Sequence, residues 1–358
     1  MTLKNNPIYI LSIYDPTNYG NRLQACALEG AVSVMTERKV LAIDSRRPTR
    51  KTGIVKLLAD FRRHMLDVRK TSSARLKRFE EFQKSLCVPV VEIAEDEVCA
   101  VDGPIVIGSD QCWNPGWGLG SCEFGAQCAV GVDKKVAYAA SFGVRLDDIS
   151  GEWRDRYAGW LPAIEHVGVR EFAGAEIVEA LTGHDAKVVL DPTMLQTAEW
   201  WSEREKRPII PGVSLDEPFC LKYVLGDDGA SAKIANRCVK EGLGLVDLTD
   251  MRLAVGPSEF LWLIHHSDLV CTDSFHAAVF SMLFHKRFLV YERQGGSASM
   301  SSRFDTLDVM FGINANRVEA EEFDEAKAMG FDWNEFENEL ELRRRDSAEW
   351  LENALGDL

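Results

Sequence analysis

The alternation of short apolar segments with helical patterns is the feature of this sequence that most constrains its fold. Segments such as IYILSIY, VLAID, GPIVIGSD and VAYAASF have the length and the apolar content of strands, and helical patterns separate several of them. This alternation is typical of parallel sheets covered by helices. The sequence therefore predicts an α/β fold whose first strand runs from Ile8 to Tyr14.

Two such series of strands and helices follow one another along the 358 residues. The first series ends in LDPTML, the second begins at FCLKYVLG, and the segment between them, Glu199 to Pro218, mixes charges with three prolines. A chain of this length exceeds what one hydrophobic core usually holds. We therefore expect two domains, residues 1–196 and 197–358. The helical spacing of apolar residues from Trp333 to Leu355 predicts a last helix that packs back onto a domain.

The composition argues against several classes of function. The formal net charge is −15, whereas a nucleic-acid-binding surface needs clustered Lys and Arg. The N-terminal residues lack the pattern of a signal peptide, and no apolar run approaches the ~20 residues of a membrane span. The nine cysteines include no CxxC pair. We therefore expect a cytoplasmic protein with reduced thiols, no metal site and no nucleic-acid partner.

One segment departs from the acidic composition. Residues 46–84 contain 13 Lys or Arg and four acidic residues. A basic helical face can contact an anionic membrane surface or a pyrophosphate-bearing lipid carrier, which would place the protein at the inner face of the membrane. The alternative is a solvated helical face whose apolar side chains, Phe79 and Phe82 among them, pack inward. The sequence leaves both interpretations open.

Chemically versatile residues stand at the joints between predicted strands and helices. These joints are DPTNYGNRLQ, GSDQCWN, VRE, TDSFHAAVFS and SSRFDTL. In parallel sheets such joints meet at the edge where α/β proteins bind ligands, and the first turn of a helix favours anions. The alternative for each residue is ordinary capping or turn formation. The candidate site residues are Asn18, Tyr19, Gly20, Asn21, Asp110, Gln111, Arg170, Asp273, Ser274, His276, Ser302 and Arg303.

Taken together, these motifs resemble those of the polysaccharide pyruvyl transferase family. NYGNRLQACAL, GSDQCWN, YAASFG, VRE, LDPTML, TDSFHAAVFS and SSRFDTL occur in the family's order between residue 18 and about residue 313. Ala277 stands where the family often has Gly, a change small enough to keep the helix entry. The resemblance implies a GT-B-like fold, in which two Rossmann-like domains with parallel sheets face each other across a cleft.

The resemblance also implies an activity. Members transfer the enolpyruvyl unit of phosphoenolpyruvate to two hydroxyls of a sugar, which gives a pyruvate ketal and free phosphate. The implied acceptor is a sugar of a cell-wall polysaccharide or exopolysaccharide, or a lipid-linked saccharide precursor. Phosphoenolpyruvate is a donor substrate, so no cofactor and no metal is expected. The N-terminal domain would hold the acceptor and the C-terminal domain the phosphoenolpyruvate.

The chemistry of this reaction suggests roles for individual residues. Arg303 and Arg170 suit bidentate binding of carboxylate and phosphate, although each could instead form a salt bridge, Arg170 with its neighbour Glu171. Histidine titrates near neutrality, so His276 is the candidate proton carrier. The candidate partners for sugar hydroxyls or arginines are Asp110, Asp191 and Glu171, although Asp before Pro commonly begins a turn. We predict His276, Asp110 and Arg170 as catalytic residues and the other candidates as substrate-binding residues.

Two other functions remain open on the sequence. A GT-B glycosyltransferase with a nucleotide-sugar donor would use similar anion sites at helix ends. A two-lobed protein that binds a sugar or an anion without catalysis is the other interpretation. Such receptors usually act outside the cytosol, whereas no export segment is recognisable in this sequence.

Overall fold

The structure of the protein is a computed structural model, and it describes residues 6–47, 72–94, 101–117, 135–226, 229–293, 302–319 and 323–356. Within these ranges the chain forms two parallel β-sheets flanked by α-helices. The α/β class and the succession of two strand–helix series are therefore confirmed. None of the helices in these ranges is long and apolar enough to cross a membrane.

The first sheet has seven strands in the order β3-β2-β1-β4-β5-β6-β7, and each neighbouring pair is parallel. Its strands are β1 (Ile8–Leu11), β2 (Val40–Arg47), β3 (Val90–Ala94), β4 (Ile105–Ile107), β5 (Lys135–Ala140), β6 (His166–Val169) and β7 (Lys187–Val188). The strand order reverses between β1 and β4. The connections after these two strands therefore diverge and leave a crevice at the carboxyl edge of the sheet, where α/β proteins bind ligands.

Two features of this sheet differ from the prediction. Strand β1 ends at Leu11 and not at Tyr14, because the chain leaves the sheet to enter the loop where the Asp15 amide donates to Asn21 Oδ1 over 2.9 Å. Strand β3 is not among the predicted strands. It lies at the sheet edge and its Glu92 is exposed, so it lacks the apolar run by which the inner strands are recognised.

The second sheet has four parallel strands in the order β11-β10-β8-β9. Its strands are β8 (Phe219–Tyr223), β9 (Gly244–Asp247), β10 (Leu269–Thr272) and β11 (Phe288–Val290). Here the order reverses between β8 and β10, which creates a second crevice at a carboxyl edge. Strand β8 lies in FCLKYVLG, where the predicted second series begins, so the prediction of a second α/β unit is confirmed.

The helices lie between the strands and at the C-terminus. They are α1 (Tyr19–Thr36), α2 (Ser73–Leu86), α3 (Gly151–Trp160), α4 (Phe172–Thr182), α5 (Pro192–Leu195), α6 (Ala198–Ser202), α7 (Ala230–Glu241), α8 (Pro257–His266), α9 (Phe275–Leu283), α10 (Ser302–Phe311), α11 (Glu325–Met329) and α12 (Trp333–Gly356). Helix α9 begins at Phe275, directly after the extended Ser274 that caps it. His276 therefore belongs to the first helical turn.

The last helix, α12, returns to the first sheet. Its Leu351, Ala354 and Leu355 are buried in one apolar cluster with Ile8 and Val106 of the central strands β1 and β4. At about 25 cal/mol per Å² of apolar surface, such burial is the main free energy that holds a long amphipathic helix in place. The C-terminal residues thus stabilise the sheet that carries the N-terminal half of the chain.

Helix α2 shows what the described part of the basic segment does. Phe79 and Phe82 are buried, as the solvated-face interpretation predicts. Arg75, however, also points inward and donates to the carbonyl oxygens of Asp250 and Leu248 in the second α/β unit. One of the 13 basic residues therefore joins the two units and is unavailable to an external anion. Residues 48–71, which include most of the segment's charge, lie outside the described residues.

Candidate active site

Charged side chains from both sheets meet where the carboxyl ends of the strands face each other. Arg170 follows β6, Asp191 follows β7, and His276 lies in the first turn of α9 after β10. Nη1 of Arg170 donates to Oδ2 of Asp191 over 2.8 Å, and Nε2 of His276 lies 3.4 Å from the same oxygen. Asp191 thereby joins an arginine of the first unit to a histidine of the second.

Asp110 and Arg303 complete this group, which we call the central cluster and define as Asp110, Arg170, Asp191, His276 and Arg303. Asp110 follows β4, and its Oδ1 lies 3.5 Å from Nη2 of Arg170. Arg303 lies in the first turn of α10. All five residues are at most 6% exposed. The structure thus brings together the three predicted catalytic residues and one predicted binding arginine.

The two arginines of the cluster share an aromatic ring. The guanidinium carbon of Arg170 lies 4.6 Å from the centroid of Phe275, and that of Arg303 lies 5.5 Å from it. Burial and the neighbouring charge of Arg170 lower the pKa of Arg303 to about 10. Burial also opposes the charge of Arg170, but Asp191 and Asp110 outweigh it and raise the pKa of Arg170. A bound anion would therefore stabilise the positive charge of Arg303 more than that of Arg170.

Asp110 is held in an uncommon backbone conformation. Its φ is 67°, in the left-handed region that Asp tolerates better than most residues. Its Oδ2 accepts from Nδ2 of Asn21 over 3.1 Å, across the crevice between β1 and β4. Burial favours the protonated form, but Arg170, His276 and the Asn21 hydrogen bond outweigh burial and lower the pKa of Asp110. Asp110 is therefore a carboxylate at neutral pH.

Asp191 performs two tasks at once. Its Oδ1 accepts from the amide of Thr193 over 3.0 Å and from the Thr193 hydroxyl over 2.7 Å, which is the turn-forming role expected of Asp before Pro. Its Oδ2 contacts Arg170 and His276. Burial would raise its pKa, but His276 and Arg170 together lower it. Both expectations for Asp191 are therefore confirmed, the turn before Pro192 and the partnership with an arginine.

Gly20 and His276 pack against each other across the two units. A Cβ atom on Gly20 would lie 2.1 Å from Nδ1 of His276, well inside van der Waals contact. Gly20 is the second residue of α1, which follows β1. The histidine ring thus lies against bare backbone on one side and beside Asp191 on the other. The predicted binding residue Gly20 belongs to the site because it makes room for His276.

Three further predicted residues lie at or near this edge with different partners. Oε1 of Gln111 accepts from Nδ2 of Asn114 over 2.7 Å. Ser302 is buried beside Arg303, and its Oγ has no hydrogen-bond partner among the residues that the structure describes. Ser274 is partly exposed and caps α9 without a side-chain hydrogen bond. The hydroxyls of Ser302 and Ser274 are therefore the better placed of the three to meet a ligand.

Asn18, Tyr19 and Asp273 use their polar groups within the protein. The side chain of Asn18 caps α1 by accepting from the amide of Asn21 over 3.1 Å. Tyr19 is fully buried, stacks on Phe260 at a centroid distance of 4.7 Å, and donates its hydroxyl to the carbonyl of Val255 over 3.0 Å. The structure does not bring Tyr19 into the central cluster.

Asp273 is likewise saturated by protein partners. Its two carboxylate oxygens accept from the amides of Leu225 and Gly226 over 2.9 and 2.8 Å. Nε of Arg293 donates to it over 2.9 Å. The loop after β8 is thereby fixed to the loop after β10.

The alternative expectation for Arg170, a salt bridge with its neighbour Glu171, is wrong. Oε1 of Glu171 accepts from the Ser141 hydroxyl and from the amides of Phe142 and Gly143 over 2.8 to 3.0 Å. Successive residues of an extended segment point to opposite sides. Glu171 therefore organises the loop after β5, while Arg170 turns to Asp191 in the central cluster.

The similarities of the chain agree with this architecture. The sequence matches the family described as Polysaccharide pyruvyl transferase over residues 18–295. Among curated proteins, none matches the sequence. Among solved structures, a Listeria monocytogenes protein described as a candidate UDP-N-acetylglucosamine 2-epimerase is 11% identical, with a TM-score of 0.50 and coverage of 96% of this chain and 90% of that one.

A second similar structure is Anabaena Alr3699/HepE in complex with UDP and glucose, which is 9% identical, with a TM-score of 0.48 and coverage of 99% and 100%. At such identities a structural likeness concerns the fold alone, and the fold is GT-B-like, with two Rossmann-like units that each carry a parallel sheet. The family match covers most of the chain and includes the motifs that carry Asp110, Arg170, Asp191 and His276. The chain therefore belongs to the polysaccharide pyruvyl transferase family.

Proposed function

We propose that the protein transfers the enolpyruvyl unit of phosphoenolpyruvate to two hydroxyls of a sugar, forms a pyruvate ketal and releases phosphate. The family match supports a pyruvyl transferase that acts on a polysaccharide or its precursor. The observation that carries the proposal is the convergence of Arg170, Arg303 and His276 at one buried position between the two sheets. A donor with a carboxylate and a phosphate needs cationic and hydrogen-bond-donating side chains at its binding site, and the arginines of the cluster are of this kind.

Arg303 is the residue we assign to the donor. Its charge is disfavoured by burial and by Arg170, so a bound dianion would relieve an existing electrostatic cost. Arg170 is already engaged with Asp191 and Asp110, which suits it to fix the geometry of the cluster. The hydroxyl of Ser302 would donate a hydrogen bond to the same anion.

His276 is the residue we assign to proton transfer. Protonation of C3 of the enolpyruvyl group creates an oxocarbenium-like centre at C2, which the first sugar hydroxyl attacks. The second hydroxyl then replaces the phosphate at C2, so one hydroxyl proton is balanced by the proton on C3 and the other leaves with phosphate. An imidazole held between Asp191 and Gly20 is positioned to carry a proton in such a sequence.

The acceptor would enter from the first unit. Asn21 and Asp110 bridge the crevice between β1 and β4, which is the usual place for a ligand in such a sheet. Asn18 and Gln111 lie on the same two loops and remain candidates for contacts with the sugar. Asp110, as a carboxylate, would accept a hydrogen bond from a sugar hydroxyl.

The experiment that tests the proposal measures release of inorganic phosphate from phosphoenolpyruvate with a panel of sugar acceptors. We expect release that depends on both substrates, together with a product that carries the mass of a pyruvate ketal. The alternative, a glycosyltransferase with a nucleotide-sugar donor, would instead show protection from thermal unfolding by UDP- or GDP-sugars and none by phosphoenolpyruvate. That result would overturn the proposal.

A variant separates donor binding from chemistry. Because a guanidinium holds an anion in the ground state and in the transition state alike, Arg303→Ala should raise the KM for phosphoenolpyruvate at least as clearly as it lowers kcat. Arg252→Ala is the control, since Arg252 forms an exposed pair with Asp250. An unchanged KM in Arg303→Ala would remove Arg303 from the donor site.

We further propose that the basic segment, residues 46–84, contacts the anionic surface of a membrane or a pyrophosphate-linked lipid acceptor. Its excess of 13 basic over four acidic residues supports this role. Replacement of Arg62, Arg63, Arg69 and Lys70 by Glu should lower the rate with a lipid-linked acceptor. It should also make that rate less sensitive to the salt concentration. Turnover of a short soluble sugar should survive. Equal losses on both acceptors, or on neither, would favour the solvated-face interpretation.

A further inference from the structure

A second group of potential ligand atoms lies at the opposite edge of the second sheet. Glu205 follows α6 in the segment between the two units, and His265 and His266 form the end of α8. One ligand atom from each of the three residues lies within 4.8 Å of the other two. Helix α8 leads into the start of β10, whereas His276 follows the end of β10. This group therefore lies at the amino edge of the sheet, away from the central cluster.

The two imidazole rings are held in fixed orientations. Nδ1 of His266 lies 3.0 Å from the carbonyl oxygen of Trp262, and its ring stacks on Trp262 at 4.2 Å. A carbonyl can only accept, so Nδ1 carries the hydrogen and Nε2 presents its lone pair. The ring of His265 stacks on Phe284 at 4.4 Å, and its Nδ1 lies 2.9 Å from Oε2 of Glu205. A backbone carbonyl that fixes the tautomer is a common feature of metal-binding histidines.

The local charges favour a cation. The end of a helix carries partial negative charge, and both histidines lie in the last turn of α8. Glu205 adds a carboxylate that is only 16% exposed in its side chain. Lys286 is the opposing charge: burial lowers its pKa, while Asp268 and Glu205 raise it. Two imidazole nitrogens and one carboxylate oxygen form a ligand set typical of zinc.

We propose that Glu205, His265 and His266 bind one divalent transition-metal ion of the zinc type, with water completing the coordination. Glu205 belongs to the segment that connects the two units, and His265 and His266 belong to the second unit. The bound ion would therefore attach the connecting segment to α8. Its role is in stability, because the group lies at the edge of the sheet opposite the central cluster.

Cobalt(II) substitution tests this site directly. The full-length protein, treated with EDTA and kept under a metal-free reductant, is titrated with CoCl₂ while visible d–d absorption is recorded. We expect one equivalent of Co²⁺ to produce this absorption and ZnCl₂ to displace it. ZnCl₂ should also raise the melting temperature, because it binds the folded state.

Variants assign the absorption to the three residues. His266→Ala and Glu205→Gln should each weaken the affinity for Co²⁺ by more than about 100-fold. Replacement of a residue that only orients a metal ligand costs about 10- to 100-fold, so a larger loss indicates direct coordination. His266 is exposed, so its replacement leaves the core intact, and circular dichroism verifies the fold. His285→Ala is the matched control, because His285 forms a similar pair with Glu337 at 2.7 Å on the surface. Lys286→Met should tighten binding, since it removes the opposing charge.

Three results would overturn the proposal. The first is the absence of a stoichiometric cobalt spectrum. The second is equal affinity in the wild type and in folded His266→Ala. The third is intense sulfur-to-cobalt charge transfer, which would assign the metal to cysteine thiolates instead. None of these outcomes depends on pyruvyl transfer, so the fate of the metal site and that of the proposed activity can be distinguished.

Discussion

Two aspartates, Asp110 and Asp273, occupy equivalent places in the two units and are used differently. Asp110 follows β4 and reaches across the crevice between β1 and β4 to Asn21. Asp273 follows β10 and reaches across the crevice between β8 and β10 to the amides of Leu225 and Gly226. Both carboxylates thus connect the two loops that diverge where the strand order reverses.

The two carboxylates differ in how many hydrogen bonds each already accepts from other groups of the protein. Asp273 also accepts from Nε and Nη2 of Arg293, so both of its oxygens are engaged within its own unit. Asp110 accepts one hydrogen bond from an amide, and its other oxygen faces Arg170 at 3.5 Å. Protein groups of the second unit therefore engage both oxygens of Asp273, whereas Asp110 also faces Arg170 of the central cluster. The position of an aspartate after a parallel strand indicates its neighbourhood but not its function.

The largest expected effect concerns His276, which lies in the first turn of α9, directly after the loop that carries Asp273. If His276 carries a proton in the rate-limiting step, His276→Ala should lower kcat by about 10²- to 10⁴-fold. The variant should remain folded, as circular dichroism verifies, and should still bind phosphoenolpyruvate. His276→Gln can donate a hydrogen bond but cannot titrate, so near-normal turnover in this variant would leave His276 only a role in binding or capping.

The next effect concerns the carboxylate that joins the two units. Asp191→Asn should lower the free energy of unfolding by about 3–5 kcal/mol at neutral pH, because Arg170 and His276 lose a buried partner. Chemical denaturation measures this difference. Thr193 keeps its acceptor in the variant, so the loss reports on Oδ2 and not on the turn.

The pH dependence of this difference has a definite sign. The pKa of Asp191 is lowered in the folded protein, so its ionised form stabilises the fold above the unfolded-state pKa of about 3.9. That stability is lost as pH falls below this value. The gap in unfolding free energy between wild type and Asp191→Asn should therefore narrow as the pH falls below about 3.9. A gap that does not narrow below this pH would contradict the ion pair between Asp191 and Arg170.

A third effect concerns the contact between Gly20 and His276. Gly20→Ala would place Cβ against the imidazole ring and displace it. A displacement of about 1 Å can reduce turnover by about 100-fold, so we expect a loss of this order in kcat. Gly159→Ala is the control, because Gly159 lies in α3 with nothing within 4 Å of its added methyl. It should leave kcat unchanged. Full activity in Gly20→Ala would show that the ring can move without consequence.

Much of this fold could be predicted because its signals are local. The inner strands β4, β5 and β10 are buried throughout and read as short apolar runs. Strand β3 could not be predicted in the same way, because an edge strand need not be apolar on both faces.

The site could be predicted only in part, because its geometry depends on contacts between distant residues. The joints that carry Asp110, Arg170 and His276 were recognisable at strand ends. Tyr19 packs in an aromatic core, whereas its neighbour Gly20 faces His276. Both contacts depend on how the second unit packs against α1, which no local pattern indicates. Asp191 was a candidate partner for an arginine, which the contact with Arg170 confirms, whereas its contact with His276 of the second unit had no local signal.

The smallest expected effect returns to the two aspartates and tests them as a pair. Asp273→Asn should lower the free energy of unfolding by about 1.5–3 kcal/mol, since it weakens charge-assisted hydrogen bonds to Arg293 and two amides. The folded variant should retain most of its kcat. Asp110→Asn should differ from it by a clear loss of kcat, because the amide cannot balance the charge of Arg170 or accept equally well from Asn21. Steady-state kinetics of both variants check this contrast in kcat, and denaturant midpoints measure the stability of each. If Asp273→Asn instead abolished turnover at normal stability, the second crevice would also take part in the reaction, and the contrast between the two units would fail.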